Sequence, residues 1–339
     1  MIEKYYSGVI EQIYNRIGKE TRNIVMANYS NDFSIENLEV IRRYQSNEDN
    51  VFFAYSEFSY NTLVGAYEPF LDIICNMHRR FIGGSFDDFQ KECGVYYLHR
   101  QVLNSYYETG ECFREETVLL NEVAYEQRRM TMAIADMLKK LSEVKPLMIV
   151  INRFQMASKS SIETIKYLID NPCANIGIVL GVNAIVKGTD STVEVWDRIV
   201  ESLEDRSAIY YIGSAGPLKN NVKTTNDDEL YITMNFEQSI QEASNIMEFL
   251  DFEQARRGCR IIEHKLKFED AWIDEKSLRR FYMVYARTSV LLGEMSKAIE
   301  LTNEYKALIP ENDSEHYLSL YYFMKGTCCL LYTSPSPRD

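Results

Sequence analysis

The chain is poor in the residues that build stapled, fibrous or membrane-spanning proteins. It carries only 7 Pro and 15 Gly in 339 residues, and its 46% hydrophobic and 26% charged content is the balance of a globular chain. Its 7 cysteines show no CxxC spacing and its histidines number only 4, which excludes a zinc ribbon and argues against a secreted disulfide framework. No apolar run approaches the ~20 residues that cross a bilayer. Near the N-terminus, Glu3, Lys4 and Glu11 stand among tyrosines where a signal peptide needs a continuous apolar stretch. Positive charge is also short: 37 Lys and Arg against 50 Asp and Glu leave a net charge of −13. Such a surface repels polyanions, so direct nucleic-acid binding by this portion is not expected. These absences lead us to expect a cytoplasmic chain with reduced thiols, no membrane contact and no metal.

What is present is a series of apolar, β-rich runs separated by longer helical patterns. The runs cover residues 23–29 (NIVMANY), 51–59 (VFFAYSEFS), 147–154 (LMIVINRF), 175–183 (NIGIVLGVN) and 208–214 (AIYYIGS). Near-continuous apolar runs suit strands buried on both faces, and alternation with helices predicts a mainly parallel sheet in three layers. Residues 115–145 form a long helical pattern closed by Pro146, with shorter helices over 160–170 and 192–203. The polar stretch 217–229 is a loop by composition, and from about Phe236 the pattern is helical only, with Asn235 as the expected N-cap. The predicted organisation is an α/β domain over 1–214, a linker over 215–235 and an all-α domain over 236–328.

The order strand, turn, helix, strand, long helix, strand resembles the P-loop nucleotide-binding module of the AAA+ and STAND ATPases of large bacterial signalling regulators. The segment YEPFL at 67–71 and the stretch PLMIVINRFQMASKSSIETIKYL at 146–168 carry the likeness, which covers roughly residues 1–214. It implies a phosphate loop after the first strand, a magnesium-holding acid after the third and a polar sensor, here Asn183, after the fourth. A working phosphate loop reads GxxxxGK[ST], because glycines let backbone N–H groups turn onto phosphates while Lys and Ser or Thr reach the γ-phosphate and magnesium. The equivalent positions are Ala27, Asn28, Tyr29, Ser30, Asn31, Asp32, Phe33 and Ser34. Ala27 and Asp32 replace the glycines, Phe33 replaces the lysine, and only Ser34 matches. Asn152 and Arg153 stand where the family places its acids, and an amide brings no charge to a hard divalent cation. Losses at both places predict a pseudo-ATPase without catalytic residues.

The helical part resembles tetratricopeptide hairpins. Residues 279–312 place Ala286 and Ala298 at the close-packing positions, Gly293 at the turn and Pro310 at the end of the 34-residue motif. A weaker unit puts Ala243 and Ala255 in the same slots, and a helical bundle without true repeats is the competing reading. A further first helix is expected over 315–328. The last residues, 329–339 (CLLYTSPSPRD), resemble a translated sequencing adapter and are set aside from the fold. That likeness carries the expectation that the natural chain continues into an output domain.

The expected function is non-catalytic and regulatory: a degenerate P-loop domain with no cofactor, whose helical repeats bind a protein or a small ligand. The runner-up is a divergent ATPase in which ATP with magnesium switches the repeat domain, and a third reading is a scaffold without ligand.

Overall fold

The structure is a computed structural model, and it describes residues 2–30, 38–46, 50–59, 63–114, 122–183, 190–215, 235–268, 273–310 and 314–333. Its centre is a sheet of five strands, β1 (Ile24–Tyr29), β2 (Phe52–Glu57), β3 (Leu147–Asn152), β4 (Ile176–Asn183) and β5 (Ile209–Ile212), all parallel, in the order β2-β3-β4-β1-β5. Each apolar run read from the sequence became a strand, because parallel strands covered on both sides must be apolar on both sides. β3 and β4 are buried along their whole length.

Two helical layers provide the cover. On one face, α1 (Ile2–Arg16) and α2 (Glu39–Ser46) bury Tyr6, Ile10, Ile13 and Ile41 against Val25, Ala27, Phe53, Val150 and Val179. On the other face lie α3 (Phe70–Met77), which runs on as a π turn over His78–Ile82, and the small helices α4 (Phe86–Glu92) and α5 (Tyr97–Thr109). The same layer holds α6 (Val123–Val144), α7 (Lys159–Asp170) and α8 (Asp190–Glu204). α7 starts where the sequence supplies a cap: the Ser158 side chain accepts the Ser161 N–H.

The remainder is helical: α9 (Phe236–Glu248), α10 (Phe252–Phe268), α11 (Glu275–Leu291), α12 (Met295–Ala307) and α13 (Ser314–Thr333). Asn235 is the N-cap of α9, taking the Gln238 N–H at 2.8 Å. Each helix packs on the next, and α11 also meets α9 and α13, so alternate helices form a row. Ala286 and Ala298 are both fully buried, but in different places: Ala286 lies in the main core, whereas Ala298 packs with Val290 and Cys328. Gly293 makes the α11–α12 turn with φ +78°, a conformation costly for any residue with a Cβ. Pro310 falls beyond the end of α12, which closes at Ala307. α13 continues through Thr333, so the first residues of the expected adapter tail are helical, and 334–339 lie outside the described residues.

The change of composition near Phe236 does not divide the core. A single apolar cluster runs from Ile149, Ile178 and Leu180 of the sheet through Phe70 and Met137 to Ile246, Phe249, Ala255 and Phe281 of the helical part. The turn between α9 and α10 is driven into the α/β body. There the Phe249 ring meets Tyr67 and Tyr106 edge-on at 5.8 Å each. Polar contacts surround it: Cys112 N–H donates to Asn245 Oδ1 at 2.9 Å, Asn245 Nδ2 to the Gly110 carbonyl at 3.0 Å, and Gln254 Nε2 to the Val64 carbonyl at 3.1 Å. Arg114 reaches the Glu248 carbonyl at 3.0 Å, and Gln127 donates to the Leu250 carbonyl.

Because Ala298 is fully buried between α11 and α13, Ala298→Leu has no room to place its added carbons. It is expected to lower stability by about 1–3 kcal/mol, measured by chemical denaturation. A neutral result would mean that this corner is loosely packed.

Candidate functional site

In an open parallel sheet, ligands lodge outside the carboxyl ends of two neighbouring strands whose following connections leave to opposite faces. The chain leaves β1 toward α2 on the α1 face and leaves β4 toward α8 on the opposite face, while β1 and β4 pair directly. The crevice at their carboxyl ends is therefore the place where this fold opens a site, and β3 borders it through β4.

The residues at this rim are polar and buried. Tyr29 ends β1 with no exposure, and its hydroxyl donates to Asn152 Oδ1 at the end of β3 at 2.6 Å. That bond passes over β4, which separates the two strands, and the residue beneath it is Gly181. A Cβ built on Gly181 would stand 2.9 Å from Asn152 Oδ1 and would collide with the hydroxyl of Tyr6, which descends from α1. Here glycine serves close approach, since its φ is ordinary. The Tyr6 ring packs edge-on against Tyr29 at 6.2 Å, and burial, reinforced by Tyr29, holds its phenol proton far above the usual tyrosine range. Two phenols and an amide thus meet above β4.

The neighbouring positions are also engaged. Arg153 follows β3 in the left-handed region at φ +54° and pairs with Glu57, at the end of β2, at 2.8 Å. Tyr55 donates to the same Glu57 carboxylate. Asn183, at the end of β4, is buried, and its N–H donates to Gln155 Oε1 at 3.3 Å, so its backbone is tied to the 3₁₀ turn after β3.

Of the expected phosphate-loop positions, Ala27, Asn28 and Tyr29 lie inside β1 as buried strand residues, and Ser30 is the first residue beyond it. The eight-position window therefore begins three residues too early to be a loop throughout. Asn31, Asp32, Phe33 and Ser34 lie outside the described residues. Asn152, Arg153 and Asn183 do gather at the same rim as Tyr29. Sequence reasoning passed over Tyr6 and Gly181. Glycine within an apolar run, as at Gly177 and Gly181 in 175–183, is a signal of close backbone approach, while nothing local marks Tyr6.

The donor set at the rim is made of phenols, amides and one carboxylate already paired to an arginine. Asn152 spends its oxygen on Tyr29, so the group standing at the family's magnesium position points its acceptor at a phenol. Among the described residues, no group of three or more His, Cys, Asp and Glu side chains is placed to hold a metal ion. The described residues of the rim do not fit magnesium with a triphosphate.

Two other places carry titratable side chains. A groove of about 430 Å³ beside α6, α7 and α8 is lined by Arg128, Lys159, Lys166 and Arg198, of which Lys166 pairs with Asp170 at 2.7 Å and Arg198 with Glu163 at 3.6 Å. His99 is fully buried, with Nε2 at 2.9 Å from Glu126 Oε2; burial, aided by Arg114 and Arg129, lowers its pKa to about 3. It is a neutral core imidazole. No helix among the described residues is long and apolar enough to cross a membrane.

No family model matches the chain, and no curated protein matches it.

Gly181→Ala would press a methyl group into the Tyr6 hydroxyl and Asn152, and is expected to destabilise by about 1–3 kcal/mol. Combined with Tyr6→Phe, which removes the colliding oxygen, the loss should be smaller than the sum of the two single changes in a denaturation cycle. Simple additivity would show that Tyr6 does not set the limit above β4.

Proposed function

We propose that the chain is a non-catalytic regulatory protein, in which a degenerate P-loop-like module carries a helical arm that binds a protein or small ligand. The observation that carries this reading is the hydrogen bond from Tyr29 to Asn152 across Gly181. It fills, with the chain's own side chains, the crevice where a parallel α/β sheet otherwise receives a ligand. Support for the family likeness comes from the all-parallel sheet with helices on both faces and from the meeting of Tyr29, Asn152 and Asn183 at one rim.

The tetratricopeptide-like reading of the arm is supported by four buried alanines, Ala243, Ala255, Ala286 and Ala298, and by the φ of Gly293. The packing of α11 on both α9 and α13 is the neighbour pattern of stacked hairpins, in which each unit buries its face on the next. Binding surfaces of such stacks lie on their open sides, which is where we place the partner.

A ligand stabilises a native protein only when it exceeds its dissociation constant. Millimolar ATP with magnesium is therefore expected to leave the melting temperature of the chain unchanged in a thermal-shift titration. A concentration-dependent rise would instead favour a divergent nucleotide-dependent switch.

A further inference from the structure

The seam between the α/β body and the helical arm gathers carboxylates with no cation among them. Around Gly65, two carboxylates from opposite sides converge. A Cβ on Gly65 would stand 2.7 Å from Glu242 Oε1, which belongs to α9, and 3.4 Å from Glu68 Oε2, which belongs to the body. Asp72 of α3 lines the same cavity, of about 320 Å³, together with Tyr106, Asn245 and Phe249. Glu68 has the Gly65 N–H at 2.8 Å and Asp72 has the Tyr106 hydroxyl at 2.9 Å. Among the described residues, no Lys, Arg or His forms an ion pair with Glu68, Asp72 or Glu242.

The groups facing Glu242 from the packed elements are acidic or neutral: Glu68 and Asp72 from the 63–72 segment and α3, Tyr106 from α5, and Cys112 from the segment after it. α10 meets this side of α9 with Gly258, against Ala243. Cations on the seam are committed elsewhere, Arg114 to the Glu248 carbonyl, Arg287 of α11 to the Glu248 carboxylate at 3.1 Å and Arg280 of α11 to Glu111 at 4.0 Å.

We propose that docking of the helical arm on the α/β body is proton-linked: the seam closes with a proton held at Glu242 and loosens when that proton leaves. Like charges brought together in a half-buried cavity disfavour each other's ionisation, and one of them is carried by α9 of the arm while the others belong to the body. Burial, with Glu68 and Asp72 next, pushes the Glu242 carboxyl up to about 7, and burial also raises Glu68. The sign follows. A carboxyl whose closed-state pKa lies above its open-state value favours the closed state fully below the open-state value, and this advantage is lost as pH rises through about 7. This device is independent of the nucleotide reading, since none of its groups lies at the sheet rim.

The test is hydrogen exchange of the full chain between pH 6 and pH 8.5, with rates corrected for intrinsic base catalysis. It reads the peptides covering 110–114 and 236–268. Protection is expected to fall above pH 7 by up to about tenfold per pH unit, the limit for one proton. Glu242→Gln should keep these peptides protected across the range. Protection that does not change with pH in the wild type, or that falls equally in Glu242→Gln, overturns the proposal. If Glu242→Gln fails to fold by circular dichroism, Glu68→Gln decides: it removes the opposing charge and should shrink the pH-dependent loss, and an undiminished loss overturns the proposal.

Discussion

The fold depends on one constraint: a parallel sheet covered on both faces has no solvent at which to leave a polar group. Every strand run is apolar for that reason, and the polar residues collect at the carboxyl rim, where β1, β3 and β4 end. There the constraint is met by cross-strand pairing of side chains, Tyr29 on Asn152 and Arg153 on Glu57, and by the absence of a side chain at Gly181.

The seam applies the same constraint with a different outcome. Most of its polar groups are satisfied by reaching across to the other region, as Asn245 does with Cys112 and Gly110. Within the body, the serines that open α7 hold the segment that faces the arm: Ser160 accepts the Tyr67 N–H at 3.0 Å, and Ser161 donates to the Glu68 carbonyl at 2.7 Å. Asp251, from the arm, lies at the start of the same helix with the Ser160 N–H at 3.4 Å, and burial raises its pKa. A helix N-terminus favours a carboxylate, so part of the desolvation cost of Asp251 is offset where it sits. Glu242 has no comparable donor.

The strands were legible in the sequence because each is a short, almost unbroken apolar run bounded by polar residues, and Asn235 because a cap acts through its own backbone neighbours. Strand order was not legible: the placement of β1 between β4 and β5 follows from crossovers that leave no local mark. The same holds for the neighbours of Ala298, whose position in α12 was visible as a small residue while its contact with Cys328 was not. At the rim, Asn152 and Arg153 stood out as departures from a pattern, but their partners Tyr29 and Glu57 are set by pairing between strands far apart in sequence. The seam escaped notice altogether. Its bonds join residues more than a hundred positions apart, and composition near Phe236 changes as though a separate domain began there.

The apolar turn at Phe249 has a consequence for how the chain is made. Its ring completes packing begun by Tyr67 and Tyr106, so the α/β part leaves the ribosome before the side chains that finish its core exist. Contacts of such long sequence separation form late, after the entropy of closing a large loop has been overcome. The arm thus supplies, late in synthesis, side chains that pack into the core of the body that carries it.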